Sequence, residues 1–442
     1  MTTQQTPPIN GPAVTSKERW AWCGYDFANS AFTTIIVTVA YSVYFTRVVA
    51  PEHGEAWWGR GYAVSMVLAG LLSPIIGAIA DAAASKRRWL IAATLVCVVP
   101  TALLGFVGPG DLAAGLGLFV IANVGYNCAL HLYDAFLKEL TPAERTGRLS
   151  GAGWAFGYVG GLTSLALVYP WLAGGMEGEH AAEYRLAFPL TAAFFAVAAL
   201  PTLFWLRERA VPLRITGSSW TLGVRRVAET LRTLGRHRQL IRYFLAYFLY
   251  NDGVNTIFVF AAIFATAVLQ FSTQDVVIFF LVMQLSSAAG ALGFGWVTDR
   301  IGSVRAISFT LLVMIALTVW ASRVETASEF YVIGLFTGAT LGANQAASRA
   351  LLAHFAPAAR AAEFFGLFSL TGKFAAVLGP LLYGELAAAT GSHRAAVLAI
   401  GSLFLAGVIL LQRVDEAAGR REAADDREGF DRPNATSQTG RA

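Results

Sequence analysis

Residues 61–88 read GYAVSMVLAGLLSPIIGAIADAAASKRR. The first twenty are almost all apolar, a G-x-x-x-D pattern ends one residue later at Asp81, and the basic residues Lys86, Arg87 and Arg88 follow shortly afterwards. An α-helix rises 1.5 Å per residue, so about twenty apolar residues cross the roughly 30 Å hydrocarbon core of a bilayer. This stretch therefore predicts a membrane-spanning helix whose basic end faces the cytoplasm.

The composition of the 442-residue chain extends this prediction to most of the sequence. Hydrophobic residues make up 56% and charged residues 14% of the chain, whereas about 25% of residues are charged in a typical globular protein. Such a chain cannot cover its apolar surface with polar groups in water. The three cysteines show neither paired nor metal-ligand spacing, so no disulfide, metal or cofactor is predicted.

Twelve apolar segments of helix length follow one another along the chain. They are continuous, unlike the alternating segments of a membrane β-barrel, so the predicted fold is an all-α membrane protein with twelve transmembrane helices. The first segment lacks the features of a cleaved signal peptide and is expected to stay as a spanning helix. The segments lie near residues 20–45, 61–80, 89–107, 112–137, 152–174, 186–206, 243–269, 276–297, 306–322, 330–352, 363–388 and 394–412.

The distribution of basic residues predicts the orientation. An even number of spans places both termini on one side, and with both in the cytoplasm 27 of the 33 lysines and arginines fall in cytoplasmic loops or tails. Arg349 is counted among the residues around the loop after the tenth segment. The positive-inside rule therefore predicts cytoplasmic N- and C-termini. The basic charge marks a membrane side, and no nucleic-acid partner is expected.

The spans divide the chain into two bundles of six helices, at residues 20–206 and 243–412. The tails at residues 1–19 and 413–442 are polar and are predicted to be disordered. The linker at residues 207–242 contains a basic amphipathic helix, in which apolar residues recur at spacings of three and four. Such a helix is suited to an anionic membrane surface. A solvated helix between the halves is an equal alternative.

Four features of the first bundle recur in the second in the same order. Their sequence offsets, from 215 to 226 residues, predict a parallel repeat of six plus six helices. The repeated residues are Asp26, Asn29 and Ser30 with Asp252, Asn255 and Thr256; Gly77 and Asp81 with Gly295 and Asp299; Asn127 with Asn344; and Gly151 and Gly157 with Gly366 and Gly372.

The loops after the second and eighth segments resemble the G-x-x-x-D-R-x-G-R-R motif of the major facilitator superfamily (MFS). The first copy has Ala82 at the arginine position, and Val304 replaces a basic residue in the second copy. The resemblance implies two six-helix bundles in which the loop residues stabilise one gating state; helix capping, as in any membrane protein, is the alternative. The gating candidates are Gly77, Asp81, Arg87, Arg88, Gly295, Asp299 and Arg300.

Three further stretches resemble the vacuole-effluxer branch of this superfamily, at residues 22–32, 147–161 and 363–380. The branch is named for an autophagy-related amino-acid exporter of the fungal vacuole, and its bacterial members form the unknown major facilitator group. This resemblance implies a multi-pass protein of the bacterial inner membrane or of the fungal vacuolar membrane. It makes amino acids the candidate substrates without identifying one.

Polar residues inside the predicted spans are the candidates for binding and coupling. Asp26, Asn29 and Ser30 share one helix face, because they lie at i, i+3 and i+4. The repeat predicts that the matching stripe, Asp252, Asn255 and Thr256, faces them across the gap between the bundles. A packing hydrogen bond is the alternative for each aspartate. The other candidates for this cavity are Asn127, His131, Asp134, Asn344 and Gln345.

Lys373 is the strongest single candidate for a functional residue, because a lysine near the middle of a span is costly in lipid. A buried salt bridge to an aspartate is one interpretation. The other is a charge that binds a substrate carboxylate, and carboxylates on the opposite wall would suit a zwitterion. His131 is a candidate proton relay, with a packing role as its alternative.

The predicted function is secondary transport of a small polar solute by alternating access, with the proton as a candidate coupling ion. Facilitated diffusion is an alternative mechanism, and a non-transporting membrane sensor or scaffold is an alternative function. The sequence contains no Walker-type, H-E-x-x-H or G-x-S-x-G motif, so no enzyme activity is predicted. A monomer within the bilayer is expected.

Overall fold

The computed structural model describes residues 13–176, 180–210, 212, 218–375 and 378–431. All regular elements among these residues are helical. The first half consists of six long helices: α1 Ser16–Val49, α2 Gly54–Ala82, α3 Lys86–Phe106, α4 Leu112–Leu140, α5 Ala143–Leu172 and α6 Ala181–Trp205. A shorter helix, α7 Ser219–Thr233, lies in the linker.

The second half repeats the pattern of long helices joined by short loops. Its described elements are α8 Arg238–Leu269, α9 Thr273–Ile301, α10 Ser303–Ala321, α11 Ala327–Phe355, α12 Ala361–Phe374, α13 Leu378–Thr390 and α14 His393–Leu411, followed by the tail helix α15 Glu416–Asp431. The two segments of α8 meet at a bend of 48°.

Ten spans within the described residues are long and apolar enough to cross a membrane, or eleven when bent helix α8 counts as one span. Residues Ala358–Thr390 count as one of the ten. Helix α11 occupies the place of the predicted segment 330–352 but is outside this set, and it carries Asn344, Gln345 and Arg349. The count of twelve and the side on which the termini lie therefore stay predictions.

The two halves meet at one end of the bundle, which we call the closed end. It contains the start of α1 and the loops that follow α2, α4, α9 and α11. Across the halves, α2 packs against α12, and α5 packs against α9 and α11. At the opposite end, no hydrogen bond or ion pair joins the two halves among the residues that the structure describes.

The structure differs from the sequence prediction at both tails. Helix α1 begins at Ser16, because Thr15 and Glu18 form a reciprocal capping box that satisfies its first amides. Residues 1–12 and 432–442 lie outside the described residues. Residues 416–431, for which disorder was expected, form α15, which packs against α8 and α11. Tertiary contacts of this kind override the polar composition on which the prediction of disorder was based.

Candidate functional site

The closed end is sealed by the carboxylates of the two loop motifs. Asp81, at the end of α2, accepts a hydrogen bond from the amide of Glu363 in the first turn of α12, with a distance of 3.0 Å. The positive end of a helix dipole stabilises a carboxylate there. A Cβ at Gly77 would lie only 2.4 Å from the carbonyl oxygen of Ala362, so glycine allows α2 and α12 to touch.

The second motif repeats this arrangement with the halves exchanged. Asp299, near the end of α9, accepts hydrogen bonds from the amides of Gly147 at 2.7 Å and Arg148 at 3.3 Å. Arg148 Nε lies 3.0 Å from the same carboxylate. Gly295 allows close approach, because a Cβ there would lie 2.8 Å from the carbonyl oxygen of Gly147. Each motif aspartate therefore binds the start of a helix in the other half.

Within the described residues, the arginines predicted to gate form no hydrogen bond or ion pair between the halves. Arg87 Nε donates to the carbonyl of Leu203 at the end of α6, at 2.8 Å. Arg88 is exposed, and Arg300 lies 6.0 Å from the ring centre of Trp296. Their basic side chains contact their own half or are exposed at its surface.

Lys86, which the sequence analysis named in the basic cluster but not among the gating candidates, is fully buried beside Asp81. Its ammonium lies 3.9 Å from Asp81 and 3.4 Å from Glu208, and it donates to Glu139. This ammonium compensates carboxylates that would otherwise be unpaired in the protein interior.

A deeper joint between the halves is formed by Arg349 of α11. Its Nη1 donates to Asp26 of α1 at 2.9 Å and to Asp134 of α4 at 3.0 Å. Its Nε and Nη2 donate to the hydroxyl and carbonyl of Ser150 in α5, at 3.0 and 2.7 Å. The side chains of Arg349, Asp26 and Asp134 are 5%, 9% and 15% exposed, respectively. One cation from the second half therefore holds two anions of the first.

The sequence prediction counted Arg349 among the residues around the loop after the tenth segment, although it extended that segment to residue 352. In the structure α11 continues six residues beyond Arg349 to Phe355, so this arginine lies inside the helix. The signal that could have identified it is its spacing. Arg349 lies four residues after Gln345, which places both on one helix face. The sequence analysis had already assigned that face to the cavity.

A set of unpaired polar groups lies one helical turn from this joint, on the side away from the closed end. Asn29 follows Asp26 by three residues in α1, and His131 precedes Asp134 by three residues in α4. Asn29 Nδ2, His131 Nε2 and the indole nitrogen of Trp154 in α5 are buried without a hydrogen-bond partner among the described residues. We call this set the donor layer.

Lys373 of α12 extends the donor layer from the second half. It lies about 18 Å along the helix axis from Ala361, where α12 begins. Its Nζ is buried and has no hydrogen-bond partner among the described residues, so a salt bridge to an aspartate, one of its two interpretations, is absent there. The ammonium is close enough to Cys128 and His131 of α4 to interact with both electrostatically. It therefore points across the gap between the halves.

The predicted residue Gln345 also joins the two halves within the membrane region. The Tyr158 hydroxyl of α5 lies 3.2 Å from Gln345 Oε1 of α11. Gln345 is one turn from Arg349 on the side away from the closed end, so it borders the donor layer.

The predicted pairing of the two aspartate stripes is not present. Asp252 is fully buried and accepts from the amide of Gly379 at 2.7 Å, within its own half. Thr256 donates to the carbonyl of Asp252 at 2.7 Å, and Asn255 is half-buried. The stripe therefore packs α8 against α13, which was the alternative interpretation for this aspartate.

Three other candidates make hydrogen bonds within their own half. Ser30 donates to the carbonyl of Asp26 at 2.8 Å, and Asn127 donates to the carbonyl of Asn123 at 2.7 Å. Asn344 Nδ2 donates to the hydroxyl of Thr310 in α10 at 3.0 Å. These hydrogen bonds are consistent with a packing role for Ser30, Asn127 and Asn344. Among the described residues, no group of three or more His, Cys, Asp and Glu side chains is placed to hold a metal ion.

Comparison with known sequences identifies relatives of the same architecture. The model of the "Vacuole effluxer Atg22 like" family matches residues 61–424. The MFS-type transporter YxiO of Bacillus subtilis is 27% identical over 414 residues, which cover 91% of this chain and 95% of that protein. Autophagy-related protein 22 of Yarrowia lipolytica is 26% identical over 315 residues, and the match covers 64% of this chain and about half, 52%, of that protein.

Solved structures with the same fold are MFS transporters. The human organic anion transporter MFSD10 superposes with a TM-score of 0.72 at 17% identity, covering 90% of this chain and 100% of that one. FucP in its outward conformation gives a TM-score of 0.67 at 13% identity, covering 90% and 98%. At these low sequence identities, the two superpositions show a shared fold and nothing more specific. MFS proteins are membrane transporters and not enzymes, and this chain belongs to their vacuole effluxer Atg22-like family.

Proposed function

We propose that the protein is a secondary transporter that moves a small polar solute bearing a carboxylate, and that an amino acid is its substrate. The donor layer carries this proposal. Lys373 Nζ, Asn29 Nδ2 and Trp154 Nε1 are hydrogen-bond donors, and all three are buried without partners among the described residues. Buried donors without partners are costly, so an acceptor-rich solute between the halves would stabilise them.

The geometry of closure supports alternating access around this layer. The Asp81 and Asp299 contacts join the halves at the closed end, and the Arg349 joint lies between those contacts and the donor layer. No hydrogen bond or ion pair joins the halves at the other end within the described residues. A solute would enter from that end, and breaking the closed-end contacts would release it on the opposite side. The two halves of one chain enclose the site, so a monomer suffices.

The proton is our candidate coupling ion. Asp26 and Asp134 share the guanidinium of Arg349, and protonation of either carboxylate removes half of the negative charge that holds it. A weakened joint favours separation of the halves at the closed end. His131, the member of the donor layer one turn from Asp134, is our candidate for exchanging a proton with that carboxylate.

Counterflow in proteoliposomes tests the proposed function. Vesicles are loaded with single amino acids and related monocarboxylates, and uptake of the labelled solute is followed for the parent chain, Lys373→Ala and Lys373→Arg. We expect counterflow of at least one amino acid and a loss of about tenfold or more in apparent affinity for Lys373→Ala, since hydrogen bonds to charged groups contribute about 1.5–3 kcal/mol. Lys373→Arg, which keeps the charge, should retain part of the affinity.

Phe374→Ala is the matched control, because the neighbouring Phe374 is 57% exposed. This variant should transport like the parent chain. Flux that is unaffected by both Lys373 variants would contradict the role of the ammonium. Solute binding without flux in the same vesicles would contradict transport and support the sensor alternative.

A further inference from the structure

The linker helix α7 presents one face to the bundle. Gly223, Arg226 and Thr230 are its buried residues, and they share that face at i, i+3 and i+7. A Cβ at Gly223 would lie 2.7 Å from the Ile79 side chain of α2, so the helix lies directly on α2. Thr230 donates a hydrogen bond to the carboxylate of Glu363 at the start of α12. The helix therefore contacts both halves at their junction.

A second face of α7 is apolar and exposed. Trp220, Val224 and Leu231 are 49%, 53% and 55% exposed, respectively. Residues at i, i+4 and i+11 form one stripe along a helix, since each residue advances about 100° around the axis. The third face carries Arg225 and Arg232, which are both exposed. These arginines lie roughly 100° around the helix from the apolar stripe.

The position of α7 along the bundle matches the membrane interface. It lies on Ile75 and Ile79 of α2, and Ile75 precedes the end of that helix by seven residues, or about 10 Å. The ring of Trp220 packs edge-on against Trp89, in the first turn of α3, with centroids 6.3 Å apart. On the same helix α2, Leu71 is 59% exposed, as expected of a side chain that faces lipid. An interfacial helix lies about 5–10 Å deep at this boundary.

We infer that α7 is an interfacial helix that binds an anionic leaflet across the junction of the two halves. The Trp220, Val224 and Leu231 stripe inserts among the acyl chains, while Arg225 and Arg232 contact phospholipid headgroups. The charge of these arginines favours anionic lipid as the binding partner of α7, because each basic residue near an anionic membrane surface contributes about 1 kcal/mol to the binding free energy. A water-facing α7 would leave three large apolar side chains in solvent.

Depth-dependent fluorescence quenching tests this inference without measuring transport, so its outcome is independent of the proposed function. Val224→Cys, on the apolar stripe, and Glu229→Cys, on the opposite exposed face, are each labelled with an environment-sensitive maleimide. The native Cys23, Cys97 and Cys128 are buried and should remain unlabelled, which the parent chain verifies. Both variants are reconstituted in vesicles of phosphatidylcholine alone or with 30% phosphatidylglycerol, with brominated acyl chains in each case.

We expect strong quenching of the label at position 224 in vesicles with phosphatidylglycerol, and weak quenching at position 229. Adding Arg225→Gln and Arg232→Gln to Val224→Cys should remove the part of the quenching that depends on phosphatidylglycerol. Equal quenching at the two positions would overturn the inference. A label at position 224 whose fluorescence depends on protein concentration and not on lipid would assign the apolar stripe to a contact with a second copy of the chain. That result would also overturn the inference.

Discussion

Arg349 and Asp26 are separated by 323 positions in the sequence, yet Arg349 Nη1 lies 2.9 Å from Asp26 Oδ2 inside the bundle. The two residues belong to different halves, and Asp134 shares the same nitrogen at 3.0 Å. A buried ion pair contributes little net stability compared with a well-packed apolar pair, but removing one partner is strongly destabilising. This contact therefore couples the stability of the chain to the closure of its two halves.

Arg349→Met tests this coupling. The substitution leaves Asp26 and Asp134 buried without their cation, so we expect a loss of about 3–5 kcal/mol in the free energy of unfolding of the closed form. Thermal unfolding in detergent, followed by tryptophan fluorescence, measures the loss. Arg323→Met, which removes an exposed arginine, is the control. The triple variant that also carries Asp26→Asn and Asp134→Asn should recover stability, and failure to do so would show that Arg349 acts through packing alone.

The motif aspartates Asp81 and Asp299 should hold the closed end in equivalent ways. Asp81→Asn and Asp299→Asn each weaken charge-assisted contacts to a helix start in the other half, and we expect the closed end to open more often in both variants. Cys128 is a native reporter, because it is buried on α4 opposite Lys373. In a Cys23→Ser, Cys97→Ser background, its reaction with a thiol reagent should accelerate about tenfold, which corresponds to about 1.4 kcal/mol.

The double variant should react faster than either single variant, because the two contacts lie at separate loops. A reaction rate that stays at the parent value in all three variants would exclude a gating role for these aspartates. It would favour simple helix capping, the alternative interpretation of both motifs.

Gly77 should be essential for closure because no side chain fits between α2 and α12. A Cβ at this position would lie 2.4 Å from the Ala362 carbonyl oxygen and 2.7 Å from the Glu363 amide nitrogen, which are backbone atoms that cannot rotate away. Gly77→Ala is therefore expected to populate the form that is open at this end. The Cys128 labelling assay measures this shift. Gly117→Ala is the matched control, because a Cβ there meets nothing within 4 Å; equal labelling in the two variants would contradict the prediction.

The sequence predicted the features that follow from local patterns. Apolar runs of helix length, the two loop motifs and the repeat correctly indicated an all-helical MFS fold. The motifs also selected Asp81 and Asp299 as gating candidates, and both lie at the closed end of the structure. Asp26 was identified as a functional candidate from its position within a span. These predictions needed no knowledge of which residue packs against which.

The features that were missed depend on contacts between distant segments. Arg349 was counted with the basic residues around a loop because hydropathy cannot distinguish the polar end of a buried helix from a helix end in water. Asp252 matches Asp26 in sequence, but the amide of Gly379 in α13 satisfies it inside its own half. Tail helix α15 has a polar composition that suggests disorder, and only its contacts with α8 and α11 show why it folds.

Glu416, at the start of α15, should hold the tail helix against the closed end. Its carboxylate accepts from His354 at 3.2 Å, Arg420 at 2.7 Å and the amide of Val304 at 3.2 Å. Burial alone would raise the pKa of Glu416, but the hydrogen bonds and the charge of His354 outweigh it and lower this pKa from 4.5 to about 2. Because the pKa is lowered in the folded state, ionised Glu416 stabilises the fold, by at most about 3 kcal/mol.

This contribution is fully present above about pH 4.5 and is lost as the pH falls toward 2. Glu416→Gln should therefore lower the unfolding temperature at pH 7, and the difference from the parent chain should shrink between pH 4.5 and pH 3. Glu385→Gln, at an exposed glutamate, should show no difference at either pH. A gap between Glu416→Gln and the parent that is the same at pH 7 and pH 3 would mean that the shape of the side chain, and not its charge, anchors α15.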